Sequence, residues 1–143
     1  MPVVIDQMSE EPIYRQIRAK VIEAIATGEL APGDSLPSVR SLARDLGVNL
    51  HTVNKAYGVL RDEGYLIMRG RSGAFVAAAG GVPTRHLAAE QDQLMARELL
   101  RLALAYRARG GSESAFVEEA ARQARAAYQA GEALVQGDGT DER

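Results

Sequence analysis

The polar side chains with the most chemical promise lie between residues 38 and 71. Arg40, Arg44, Lys55, Arg69 and Arg71 bring positive charge, and His51, Thr52 and Asn54 bring short hydrogen-bonding groups. His51, Thr52, Asn54 and Lys55 can all donate hydrogen bonds, and no acid is interspersed among them. Guanidinium and ammonium groups grip phosphate oxygens, while imidazole, hydroxyl and amide groups reach base edges. Covalent chemistry has no comparable set. Zero cysteine excludes thiolate nucleophiles, thiolate metal sites and disulfides. The two histidines, His51 and His86, have no ligand spacing, and neither a nucleophile–base pair nor a cofactor motif appears. The glycines at 70 and 73 do not form a phosphate loop, because no Gly-Lys-Ser/Thr and no helix follow them. The sequence therefore assigns no catalytic residue, no metal ligand and no cofactor. Its chemistry is recognition.

Two helical patterns in residues 36–60 hold most of these groups in place. In the first, Val39, Leu42, Ala43 and Leu46 recur at helical spacing behind Ser38, an N-cap type. Gly47 follows as the residue able to take positive φ beyond the helix end. Asn49 caps the second helix, whose inward stripe is Val53, Ala56, Tyr57 and Leu60. Two helices joined by a short glycine-containing turn are a helix-turn-helix, whose second helix enters the DNA major groove by its N-terminal residues. His51, Thr52, Asn54 and Lys55 occupy the outward side of that first turn and a half, and are expected to supply sequence preference. Arg40 and the wing bases are expected to supply affinity.

Residues 1–10 read as an extended arm. Pro12 opens a helix with a stripe of Ile13, Ile17, Val21 and Ile25, flanked by Tyr14 and Ile22 and ending near Ala26. Pro32-Gly33 is type II turn chemistry. Residues 65–68 and 74–77 read as two strands around a glycine-containing tip, a hairpin that completes a winged helix-turn-helix. Tyr57, Tyr65 and Phe75 are expected in its core. The domain is drawn over residues 11–79, with a linker at 80–85. Residues 86–135 read as two helices. Leu94, Met95, Leu99, Leu102 and Tyr106 lie on the first, and Phe116, Ala120, Ala124, Ala127 and Tyr128 on the second, with Ser112 or Ser114 as cap. So apolar a pair, in only about 50 residues, needs cover from a second copy, and these ten side chains are the expected dimer interface. Residues 136–143 are expected to be a disordered tail. The fold class is thus mainly α with a small β-hairpin: a winged helix-turn-helix domain followed by a two-helix dimerisation hairpin.

Composition tempers this. The 143 residues carry 17 bases against 19 acids, a net charge of −2, whereas many nucleic-acid binders are plainly basic. Bases and acids are equal in number up to Gly80, so an attractive field has to come from placement. The N-terminal stretch lacks the features of a signal peptide, and no run reaches the roughly 18–20 apolar residues of a membrane span. The expected location is the cytoplasm, with no membrane partner.

Residues 11–77 also resemble the DNA-binding domain of the GntR family of bacterial transcription regulators. The resemblance is carried by Pro12-Ile13-Tyr14, Gln16-Ile17, Gly28-Glu29-Leu30, Pro32-Gly33-Asp34, Leu36-Pro37-Ser38, Arg40, Leu42-Ala43, Leu46-Gly47-Val48-Asn49, Thr52-Val53, and Gly73 with Phe75-Val76. By length and helix count the remainder is similar to the YtrA-like subfamily, in which two helices stand in for larger effector domains. The resemblance implies a homodimeric repressor on an inverted-repeat, double-stranded DNA operator. Its contacts come from the start of the second helix, where Arg40 matches the family's DNA-reaching arginine, from the recognition helix, where Asn49 and Thr52 match, and from the wing tip at Gly70 with Arg69 and Arg71. Ser38 and Arg44 are expected to join them from their place beside Arg40. Many members carry an arginine where Leu50 or Asn54 stands here.

The competing reading is a winged helix used as a protein-interaction module without DNA binding, which the net charge of −2 keeps open. A small-molecule effector, if one acts, is expected at the dimer interface near Tyr106 or Tyr128.

Overall fold

The computed structural model describes residues 3–78 and 82–138, without side-chain detail at 82–86 and 131–138. The chain divides into two compact units, Met1–Thr84 and Arg85–Arg143.

In the first unit, α1 (Ile13–Ala26) follows Pro12 and buries Ile17, Val21 and Ala24 at helical spacing. The Thr27 hydroxyl donates back to the Glu23 carbonyl at 2.9 Å as the helix ends. Helix α2 (Val39–Leu46) starts at Ser38, whose Oγ accepts from the Ser41 N–H at 3.0 Å. It stops at Gly47, which has φ +68°, a value that costs a side-chain-bearing residue energy. Helix α3 (Leu50–Asp62) is capped by Asn49, whose Oδ1 accepts from the His51 N–H at 2.8 Å. Val53, Ala56, Tyr57 and Leu60 form its buried stripe and pack against α1 and α2. Each large member of that stripe contributes about 1.5–3 kcal/mol by burial. These elements and caps agree with the expectation.

Strands β1 (Leu66–Met68) and β2 (Ala74–Val76) pair antiparallel, with Leu66 opposite Val76 and Met68 opposite Ala74. Both are shorter than expected, and a single 3-10 turn over Gly70–Ser72 forms the tip. The far edge of β2 is also occupied. Leu36 N–H donates to the Ala74 carbonyl (2.9 Å), Val76 N–H to the Asp34 carbonyl (2.8 Å), and Ser35 lies opposite Phe75. This third row explains a correction. Ala74 and Val76 point inward and are buried, so Phe75 points outward and is only partly covered. It is not a core residue. The N-terminal arm is pinned rather than loose. The Gln16 side chain accepts from Asp6 N–H (2.9 Å) and donates to the carbonyls of Asp6 (3.0 Å) and Glu11 (2.9 Å).

The second unit consists of two helices. Helix α4 (Val82–Ala108) begins inside the expected 80–85 linker, with Pro83 in its first turn, where its missing N–H is no loss. Linker residues 80 and 81, with residue 79 before them, lie outside the described residues. Helix α5 (Glu113–Asp138) follows a turn at 109–112 and is capped by the Ser112 Oγ, which accepts from Ala115 N–H at 3.2 Å. It reaches into the expected 136–143 tail, and residues 139–143 lie outside the described set. The turn is shaped by Gly111. A Cβ there would collide with the Tyr106 ring, which lies directly on the backbone. Tyr106 meets Phe116 at 6.0 Å between centroids, tilted by 42°. No side chain of α4 or α5 among the described residues is buried.

Candidate nucleic-acid interface

The caps and the buried stripe fix what α3 presents. With Val53, Ala56 and Tyr57 inward, His51, Asn54 and Lys55 are exposed and Thr52 is partly covered. Leu50 is 38% exposed at the tip. Ser38 and Asn49 spend an acceptor on the backbone N–H groups of their helices. The Asn49 amide N–H groups and the Ser38 hydroxyl proton remain as donors. Arg40 and Arg44 are exposed at i, i+4 on α2, and Arg44 lies 3.9 Å from the Asp45 carboxylate.

A residue expected only in the core also ties these helices together. The Tyr57 hydroxyl donates to the Pro37 carbonyl at 2.8 Å, tying the middle of α3 to the residue before the Ser38 cap. Burial pushes its phenol well above the ordinary range, so it stays a donor. At the other end, Arg18 on α1 grips Glu63 with two nitrogens, at 2.9 Å and 2.5 Å. That hydrogen bonding raises its already high pKa further.

On the wing, the expected basic group divides. Arg69 lies over the Phe75 ring, its guanidinium carbon 5.2 Å from the centroid, while its backbone N–H donates to the Gly73 carbonyl at 3.0 Å. Arg71 stands exposed in the turn beside Gly70. The wing and the approach to α2 are held together by the Leu36–Ala74 hydrogen bond. Lys55 departs from the other α3 side chains, because its ammonium lies against the Tyr14 ring of α1. No periodic signal announces that pairing, nor the Tyr57–Pro37 bond. Both join residues from separate elements.

Of the expected interface residues of the second unit, Tyr106 and Phe116 are partly covered by each other and the remaining eight are exposed. Leu94, Leu99 and Leu102 are 46%, 45% and 48% exposed, Met95 is 57% and Tyr128 is 79%. Ala120, Ala124 and Ala127 are exposed along α5. An open groove of about 770 Å³ between the helices is lined by Leu99, Leu102, Tyr106, Phe116 and Ala120, with Arg109, Glu118, Glu119 and Arg122 at its edges. Tyr128 does not line it. Among the described residues no helix is long and apolar enough to cross a membrane.

Residues 13–76 match the model of the bacterial regulatory proteins of the gntR family. The chain is 48% identical over 67 residues to the HTH-type transcriptional regulator TauR of Rhodobacter capsulatus, covering 47% of this chain and 14% of that protein. It is 46% identical over 70 residues to the HTH-type transcriptional repressor YtrA of Bacillus subtilis, covering 48% of this chain and 54% of the relative. The matched segment is thus a small part of the first and about half of the second. A solved structure of YtrA from Sulfolobus acidocaldarius, described as a GntR-family transcription factor, superposes with TM-score 0.57 at 40% identity. That superposition covers 85% of this chain and 96% of the other, second unit included.

Proposed function

The chain belongs to the GntR family of bacterial regulatory proteins, on its short YtrA-like side, and on that premise we propose that it is a homodimeric repressor of transcription. Its partner in this reading is an inverted-repeat operator of double-stranded DNA, which places it in the cytoplasm. It is a binding protein and not an enzyme. The observation that carries the reading is the start of α3, where an Asn49-capped turn exposes His51 and Asn54 above a fully buried Val53. Arg40 and Arg44 on α2 and Arg71 on the wing are likewise exposed. Arg40, Arg44, Arg69 and Arg71 supply phosphate contacts, with Ser38, Asn49 and the Gly70 backbone beside them, while His51, Thr52 and Asn54 choose bases. Repression is the activity named for the Bacillus subtilis relative.

Dimerisation is supported by the second unit, none of whose described apolar side chains is buried within one chain. Two such hairpins form a four-helix arrangement over the groove of Leu99, Leu102, Tyr106 and Phe116. A two-fold dimer sets two recognition helices on successive half-sites. The same groove is where a small-molecule effector finds room, at Tyr106 rather than Tyr128.

The test is binding of the full chain to duplexes enriched from a random library, titrated over salt. A steep fall of log K with log salt and an enriched inverted repeat are expected. Failure to bind any duplex at low salt overturns the reading. The balanced charge favours one rival, a winged helix docking on protein, for which no enriched repeat is obtained.

A further inference from the structure

Lys55 and Tyr14 come from different helices, yet the Lys55 Nζ lies 4.2 Å from the centroid of the Tyr14 ring. At that distance the ring's quadrupole attracts the cation. The same tyrosine holds a second cation. Arg15 Nε donates to its hydroxyl at 3.2 Å, with the guanidinium carbon 6.0 Å from the ring centroid. That hydrogen bond, more than the charges of Arg15, Lys55 and Arg18, draws the phenol below its ordinary pKa. Arg18 is neutralised by Glu63, whereas neither Arg15 nor Lys55 is in an ion pair among the described residues. Glu11 is close enough to Arg15 to act on it through space, without a salt bridge.

Two exposed cations without a paired carboxylate thus bracket one phenol beside the recognition helix. A major groove about 12 Å wide leaves little room around a helix about 10–12 Å across. A side chain on the tip of that helix meets bases, and one on its flank meets the phosphate walls. The Tyr14 ring draws the Lys55 ammonium to the α1 flank of α3.

We propose that Lys55 and Arg15 clasp a backbone phosphate at the α1 flank of α3, and that Tyr14 is the positioning residue that seats Lys55 there. Lys55 then serves affinity for any duplex and does not belong with the base-choosing residues, where its place on α3 alone had put it. The proposal rests on the DNA-binding reading and sharpens it.

The experiment uses Lys55→Ala, Tyr14→Leu and Tyr14→Phe in the full chain, each checked by thermal melt. Each is titrated over salt with a random-sequence duplex and with a duplex enriched by the unaltered chain. Lys55→Ala weakens both duplexes by the same factor, about tenfold, and lowers the salt slope by about one. Enrichment repeated with Lys55→Ala returns the same sequence. Tyr14→Leu reproduces that pattern at about two- to fivefold, the size of an exposed cation–π contact, and Tyr14→Phe restores binding. Proton NMR supplies a readout that general destabilisation does not move. The chain's lysines are Lys20 and Lys55, and the Lys55 ε-methylene signal is shifted upfield by the ring, in Tyr14→Phe as in the unaltered chain but not in Tyr14→Leu. A changed enriched sequence or an unchanged slope for Lys55→Ala overturns the proposal. So does Tyr14→Leu releasing the NMR shift without weakening either duplex. If the unaltered chain binds neither duplex while the shift is present, the DNA-binding reading itself has failed and takes this inference with it.

Discussion

The two units of this chain are built on opposite terms. Every buried side chain among the described residues belongs to the first, where Ile17, Val21, Val53, Tyr57 and Leu60 are covered by elements of the same chain. The second has long helices and abundant leucine, yet Leu94, Leu99, Leu100, Leu102 and Leu104 all remain about half exposed or more. Both have the periodicity of stable helices. The difference teaches that periodicity specifies a face to be covered without saying which chain covers it. In the first unit three short helices and a hairpin close on each other. In the second, two helices meet through Tyr106 and Phe116 near their turn, and the rest of their described apolar surface stays exposed, the face that the proposed dimer would cover.

That contrast breaks most sharply at Leu99. Leu99→Glu is expected to cost about 3–5 kcal/mol of association, because it puts an uncompensated charge into the interface. Light scattering should then give a monomer while the melt of the first unit is unmoved. An unchanged dimer would show that the Leu99 face is not the covered one. Leu60→Ala acts on the other side of the comparison, with about 2–5 kcal/mol lost from the first unit's unfolding free energy in a denaturant titration. Ending the chain after Ala78 should leave a folded monomer whose affinity for the enriched duplex falls by about 10²-fold, as each half-site loses the effective concentration of its twin. If this monomer binds as tightly as the full chain, the second unit is not what makes binding strong. Arg71→Ala should weaken all duplexes about tenfold and flatten the salt slope by about one unit. Tyr57→Phe is the mildest change, about 0.5–1.5 kcal/mol from the lost bond to the Pro37 carbonyl. Its pH dependence has a definite sign. The folded phenol pKa is raised above the unfolded value of 10.0, so the hydroxyl's contribution is complete below that pH and fades as pH rises above it. The stability difference between the unaltered chain and Tyr57→Phe, followed by alkaline melts, should narrow in that window.

What could be read ahead of the structure was whatever is local. Ser38, Gly47 and Asn49 announce their helix ends because a cap is a contact with a residue two or three positions away. The stripe of α3 follows from spacing alone. Phe75 lies outside the core because β2 is paired on one side with β1 and on the other with residues 34–36, a stretch to which the sequence assigns no strand, and Ala74 and Val76 take the inward face. Gln16 gives no sign that its amide holds the arm ten residues earlier. The seat of Lys55 on Tyr14 joins two helices across about forty residues of sequence and is invisible to any periodicity. In the second unit the helices were legible, but their bounds were not, since Pro83 is tolerated within the first turn of α4.

The pairing of residues 34–36 with β2 reaches beyond the fold. One edge of the wing is hydrogen-bonded to residues 34–36, which lead through Pro37 and Ser38 into α2, and a wing tied in this way is expected not to swing from the helix pair. A hinged wing would let one protein accommodate half-sites of differing groove width. On the DNA-binding reading a tied wing leaves the adjustment to the duplex, at an energy that depends on the stiffness of the base steps being deformed. Base pairs lying between recognition helix and wing, touched by neither, are then expected to be selected for flexibility. On that reading the protein would act as a fixed gauge, and what it would measure there is the compliance of the DNA.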